Sequence, residues 1–341
     1  MIKSNNPFTD RKLSLIQNRI SLAILALLIA GCAGVLPGCV SHMGPPGTVD
    51  RTFRVSGPVR LEVTNGSGDT RISGGQPGEV HIHAEFRVKS WSEHGAKERT
   101  VRLEANPPFS QDGNVIRVGG SGLHTPGLVI HYTISTPLDT QVYAAAGSGD
   151  IDVSGLAGPV IASTGSGNIS VANIAGGVQA TSGSGTIQLA STQGQVQATS
   201  GAGNMSLAST HGEVRLQTGS GAIQISAPAG DTVVSSGSGN VTVAGATSDL
   251  RLRTGSGSIQ VAGDPEPSTY WDFRASSGNI SLHVSPKASL RFYARTNSGD
   301  IDAAIPVVME GTAGKHALRA RIGDGKARVE VETSSGNVSL H

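Results

Sequence analysis

The sequence predicts an all-β protein: a single-stranded β-helix, or β-solenoid, of 18-residue coils with right-handed winding and irregular, wider coils at both ends. Three observations carry this. The second glycine of a Gly-Ser-Gly-type turn falls at Gly149, Gly167, Gly185, Gly203, Gly221, Gly239 and Gly257, a constant step of 18 residues. Alignment on that step puts apolar residues in columns separated by polar ones, the period-two pattern of strands with one buried face. Finally, 47 glycines with only 4% aromatic residues in 341 exclude a bulky enzyme core, and 37% hydrophobic content excludes a solvated coil.

In chain order, the first element is an address. Lys3, Arg11, Lys12 and Arg19 precede an apolar run from Ile20 to Ala30. That run is shorter than the roughly 20 residues a membrane-spanning helix needs. It has the basic leader, apolar centre and small-residue exit of a secretory signal over residues 1–31. Leu28-Ile29-Ala30-Gly31-Cys32 resembles the bacterial lipobox, which implies lipidation of Cys32 as the first mature residue and attachment to the membrane. Cys39, after Leu36-Pro37-Gly38, is a poorer match because Pro37 lies close to the would-be scissile bond. Lipoprotein sorting with Ala33 after the cysteine implies the outer membrane of a Gram-negative host. With only two cysteines, one of them lipidated, no internal disulfide framework is available. Residues 32–50, rich in Gly and Pro, are expected to be a tether. Removal of residues 1–31 leaves 22 basic and 24 acidic residues, a formal charge of −2 that does not point to nucleic acid.

Residues 51–146 carry one coil signature, Gly66-Ser67-Gly68-Asp69, with longer alternating segments around Val80–Phe86 and Leu128–Ile134. They are expected to be wide strands capping the solenoid, with an irregular loop or short helix over 92–100. Residues 147–263 are the regular coils. Ile169, Ile187, Met205, Ile223, Val241 and Ile259 form one inward column, and Val171, Leu189, Leu207, Ile225, Val243 and Val261 a second. Val178, Val196 and Val214 begin a third, which reaches Leu250 only through an expected one-residue shift of register to Val233 or Val234. One coil cannot bury its apolar face alone; stacked coils can. The corner glycines are expected to supply positive φ or a missing Cβ, and Asn168, Asn204, Asn240 and Asn279 to bond nearby backbone. Ser182, Ser200, Thr218, Ser236 and Thr254 fit a thin core provided that their hydroxyls bond backbone. In residues 264–341 the step widens to 21 and then 37, and Tyr270, Trp271, Phe273, Phe292 and Tyr293 predict a fatter core.

Ile134-Ser135-Thr136-Pro137 leading into Gly147-Ser148-Gly149-Asp150-Ile151-Asp152-Val153, the repeated Ser-Gly-Asn/Asp-Ile turns, and the ending Val331-Glu332-Thr333-Ser334-Ser335-Gly336-Asn337-Val338 resemble the bacterial putative-adhesin β-strand-repeat domains of unknown function. The resemblance covers roughly residues 55–341. It implies a β-helix on the bacterial surface and brings no catalytic residues with it.

Three chemistries compete with purely structural readings. A calcium roll needs stacked carboxylates, whereas the turn column reads Asp150, Asn168, Thr186, Asn204, Ala222, Asn240, Ser258. Asp150/Asp152 and Asp300/Asp302 have the spacing for paired carboxylates on one strand face, as a glycosidase would need. No Lys/Arg-rich column accompanies them through the regular coils. His81 and His83 share a strand face and with His131 suggest imidazole ligation; an exposed alternate pair on a strand is the commoner meaning. The expectation is therefore a non-catalytic envelope lipoprotein without cofactor, presenting a polar sheet to glycan or another envelope protein. A glycan-active enzyme and an envelope-stress or signalling accessory are the alternatives.

Overall fold

The computed structural model describes residues 42–120, 127–310 and 314–341. The signal segment, Cys32 and Cys39 lie outside the described residues.

Two sheets of fifteen strands each run the length of the molecule and enclose one core. Each regular coil gives one strand to each sheet. In the first sheet Ile151, Ile169, Ile187, Met205, Ile223, Val241 and Ile259 are paired in parallel register, each buried beneath the next. In the second, Val160, Val178, Val196, Val214, Thr232 and Leu250 form the matching column. The shift of register expected near Val233 does not occur. Thr232 occupies the inward place, 2% exposed, and its hydroxyl donates to the Gly230 carbonyl at 3.0 Å, while Val233 faces outward. A β-branched residue with a satisfied hydroxyl fills a valine site, so the frame stays intact.

The corner glycines act through close approach. Gly149, Gly167, Gly185, Gly203, Gly221, Gly239 and Gly257 stack on one another, and a Cβ at Gly203 would lie 1.8 Å from the Gly185 carbonyl oxygen. Positive φ belongs to a different corner, six residues further along. There Gly155, Asn173, Ser191, Ser209, Ala227 and Gly245 have φ of 68, 55, 52, 53, 49 and 73°. Four of those six carry a side chain.

The ends differ from a simple winding. At the N-terminal end the coil formed by Arg60–Ser67 and Thr70–Gly74 packs directly on Gln141–Ser148 and Ile151–Leu156. Val115–Gly119 and Leu128–Thr136, later in sequence, lie outside it. The C-terminal end mirrors this: Ala327–Ser335 and Val338–Leu340 insert between the coil of Tyr270–Ser277 and Ile280–His283 and that of Leu290–Ser298 and Ile301–Ala303. Thus the 37-residue step from Gly299 to Gly336 runs backwards along the stack.

Antiparallel strands close both ends, Glu79–Ser90 on Leu128–Thr136 and Ala317–Ile322 on Leu290–Ser298. The expected tether is shorter than 32–50, because Gly47–Arg54 pairs with Glu79–Ser90 and buries Gly47 and Val49. Helix Glu93–Ala105 is longer than the segment expected over 92–100. Ser92 caps it by accepting the Gly95 amide at 3.1 Å, and Pro107-Pro108 end it. In the C-terminal coils Trp271, Phe273 and Phe292 are fully buried. Tyr270 and Tyr293, by contrast, fall on the outward register of their strands.

Candidate binding faces

The polar turn column is a structural ladder. Asp150 Oδ1 accepts the Asn168 amide at 2.8 Å, Asn168 Oδ1 the Thr186 amide at 3.0 Å, and Asn204 Oδ1 the Ala222 amide at 2.9 Å. Asn240 and Asn279 do the same for Ser258 and Asn337, both at 2.9 Å. These oxygens satisfy the next coil's backbone, the role that a calcium roll would give to metal. The inward hydroxyls cross-link coils in the same way: Ser182, Thr218 and Thr254 donate to Gly167, Gly203 and Gly239 carbonyls at 3.0, 3.2 and 3.1 Å. Ser236 is the exception, with a buried hydroxyl that has no partner.

The remaining candidate residues are dispersed. Asp152 faces Arg71 at 3.5 Å and Asp300 faces Lys315 at 3.6 Å. His83 Nδ1 lies 2.8 Å from Asp50 and its Nε2 3.3 Å from Glu85, while His81 Nε2 is 3.7 Å from Asp50. His131 turns instead to Asp69, 3.4 Å away. The hydrogen bond with Asp50, then that with Glu85, holds His83 above its ordinary pKa. No group of three or more His, Cys, Asp or Glu able to hold a metal ion occurs among the described residues.

The two outer sheet faces differ in charge. Outward positions of the first sheet run Ser170, Gln188, Ser206, Gln224, Thr242, Gln260 and Ser281, a neutral ladder. In the second sheet the N-terminal strands carry the paired charges Arg60, Glu62 and Arg117, and the middle coils are neutral, with Gln179, Gln197, Thr181 and Thr199. Towards its C-terminal end three rows of charge emerge. Arg251, Asp272, Glu330, Tyr293 and Arg319 lie in one register; Arg253, Arg274, Glu332 and Arg295 in the next; Tyr270, Arg328, Arg291 and Arg321 in the third. Two shallow depressions lie on this face, ≈ 250 Å³ about Tyr293, Arg295, Arg319 and Glu332, and ≈ 270 Å³ about Val233, Arg251 and Arg253.

The acids here are only partly consumed. Asp272, 5% exposed, accepts from Arg274 at 2.9 Å and faces Arg253 at 3.9 Å. Glu330 accepts the Tyr270 hydroxyl at 2.7 Å and pairs with Arg328. The Tyr270 hydrogen bond, then Arg328, holds the Glu330 carboxyl below the ordinary range, and the same bond with burial pushes Tyr270 up to about 12. Arg328 and Arg319 sit 5.4 and 6.0 Å from the centre of the Tyr293 ring. Arg251, Arg291, Arg295, Arg319 and Glu332 form no ion pair among the described residues. Composition alone could not find this face, because the arginines are spread from Arg251 to Arg328 and their rows are joined by the intercalated last coil.

Fold and faces together define a two-sheet β-solenoid with one neutral and one partly cationic flank. The chain belongs to the Toastrack DUF4097 family, whose pattern matches residues 59–341. Three solved structures are similar to it. A putative adhesin from Parabacteroides distasonis is 11% identical with a TM-score of 0.34, covering 87% of this chain and 98% of that one. One from Bacteroides fragilis is 10% identical with a TM-score of 0.29, covering 86% and 97%. A putative cell adhesion protein from Clostridium sporogenes is 10% identical with a TM-score of 0.26, covering 87% and 99%. No curated protein matches the chain.

Proposed function

We propose that this chain is a non-catalytic, lipid-anchored protein of the bacterial envelope that uses its sheet faces for adhesion or scaffolding, with a glycan or another envelope protein as partner. The observation that carries this reading is the contrast between the two flanks. Both run the length of the molecule, and the second changes from its neutral middle coils to an arginine-rich end within a few strands. Side chains held at strand spacing suit the recognition of an extended partner by many weak contacts in series. The carboxylates that could have served hydrolysis, Asp150 and Asp152, are engaged with Asn168 and Arg71.

The lipobox at Cys32 supports anchoring, with the outer membrane of a Gram-negative host as its expected location. Labelled palmitate is expected in the wild type and absent from Cys32→Ser; loss on Cys39→Ser alone would move the anchor to the second cysteine. A glycan array and an envelope pull-down on the mature protein test the binding role. Capture of neither a glycan nor a protein overturns it.

A further inference from the structure

We infer that the arginine-rich end of the second sheet is a binding face for an acidic, carboxylate-bearing polysaccharide. This rests on the reading above and names its ligand class. The argument starts from donors. Arg251, Arg295 and Arg319 present guanidinium groups on an exposed face with no acid closing on them among the described residues. A guanidinium has a planar fork of N–H groups matched to a carboxylate. Arg251 and Arg319 share one register four strands apart, about 19 Å at strand spacing, and Arg295 lies in the neighbouring row, so that together they span several units of a sugar chain.

The acceptor then chooses between polyanions. A phosphodiester backbone of DNA offers no hydroxyl to an acceptor, whereas every unit of a sugar acid carries hydroxyl donors beside its carboxylate. Here Glu332 stands in register between Arg274 and Arg295 without pairing to either, free to accept from a sugar hydroxyl. The Tyr293 ring lines the depression beside Arg295 and Arg319, and Arg328 and Arg319 lie 5.4 and 6.0 Å from its centre, so the ring helps to position the guanidinium groups. Donor forks beside a free acceptor fit a sugar acid better than a bare anion or a neutral sugar.

The surroundings of these donors are bonded in place: Asp272 is buried against Arg274, and Tyr270, Glu330 and Arg328 form a bonded cluster in the neighbouring rows.

The test uses the full chain purified in detergent, with immobilised polygalacturonate, neutral dextran and single-stranded DNA as probes. Binding to polygalacturonate at physiological salt is expected, with at least tenfold weaker binding to dextran and to DNA. The double variant Arg295→Gln/Arg319→Gln should lose at least tenfold on polygalacturonate. Arg295→Lys/Arg319→Lys should fall between, because charge stays and the fork is lost. Gln188→Ala/Gln224→Ala on the opposite sheet should bind as the wild type does. With the exposed Trp91 replaced by Phe throughout, unchanged fluorescence of the buried Trp271 shows that each variant is folded.

Equal binding to dextran, tighter binding to DNA, or retention of affinity by the Gln double variant overturns the inference. Failure of the wider reading looks different. If the chain releases new reducing ends from polygalacturonate, it is not non-catalytic, although the binding face stands. If polygalacturonate is ignored while another partner is captured through the Gln188 and Gln224 side, the wider reading stands and this inference falls.

Discussion

At the residue scale, two corners of each coil obey different physics, and substitution separates them. Gly203 needs the absence of a Cβ because the Gly185 carbonyl occupies that space. Gly203→Ala is therefore expected to cost about 3 kcal/mol by overpacking, read by chemical denaturation. Ala227 sits at φ 49° on an exposed corner. A left-handed conformation costs an L-residue about 1–2 kcal/mol, and glycine gives back about 0.5–1 in chain entropy. Ala227→Gly should thus stabilise by up to about 1 kcal/mol, and a loss of stability would show that the corner is not strained. Tyr132 illustrates a different conflict. Its ring packs edge-on to Phe109 at 6.2 Å, its hydroxyl is buried without a partner, and burial raises its pKa. Tyr132→Phe should match or exceed the wild type, by up to about 1–3 kcal/mol, because an unsatisfied group is removed and the ring kept.

His83 gives a pH signature at the same scale. Its folded pKa lies above 6.5, so its contribution to stability is present below that value and fades as pH rises through the folded pKa. The side chain is 32% exposed, which limits the effect to well under about 1 kcal/mol. A proton NMR titration should find this histidine titrating above 6.5; a midpoint at or below that value would mean that the Asp50 contact is not formed in solution.

At the scale of elements, the strands were legible because alternation and a constant step over-determine them. Every apolar column read from the repeat is a parallel, in-register column in the fold. Where apolarity was the only guide, at Thr232, the frame was misjudged, since a β-branched alcohol that bonds its own turn is as inward as valine. Phase also decides which aromatics are core: Trp271 and Phe273 point in, whereas Tyr270, one residue earlier, points out. The arginine face was invisible to a search for columns within regular coils, because its rows join strands far apart in sequence.

Packing makes one element-scale prediction. Leu207 is 2% exposed and lies between Leu189 and Ile225. Leu207→Ala should cost about 2 to 5 kcal/mol through its cavity, and Gln188→Ala or Gln224→Ala should stay within about 0.5 kcal/mol. Comparable losses at inward and outward sites would contradict the two-sheet core.

At the scale of the whole molecule, fifteen strands at about 4.8 Å give a rod on the order of 65 to 70 Å, which small-angle scattering can check. Order along that rod is not order along the chain, and this changes what a truncation does. In a simple winding, loss of the last coil removes one end and leaves the rest covered. Here Ala327–Ser335 pairs on one side with Tyr270–Ser277 and on the other with Leu290–Ser298, so the last coil is internal. Trp271 is matched to Leu250 on one side and to Val329 on the other. Removing residues 327–341 therefore uncovers Trp271 and Phe292 together, and the two flanking coils cannot close the gap without shifting everything beyond them. Deleting residues 185–202 instead takes out one regular coil and brings equivalent columns into register, so that protein should fold. The expected contrast is a red-shifted Trp271 emission and loss of cooperative unfolding for the C-terminal truncation, against native-like emission for the internal deletion. If the truncation keeps a buried Trp271, the last coil is not intercalated and the C-terminal half winds in sequence order.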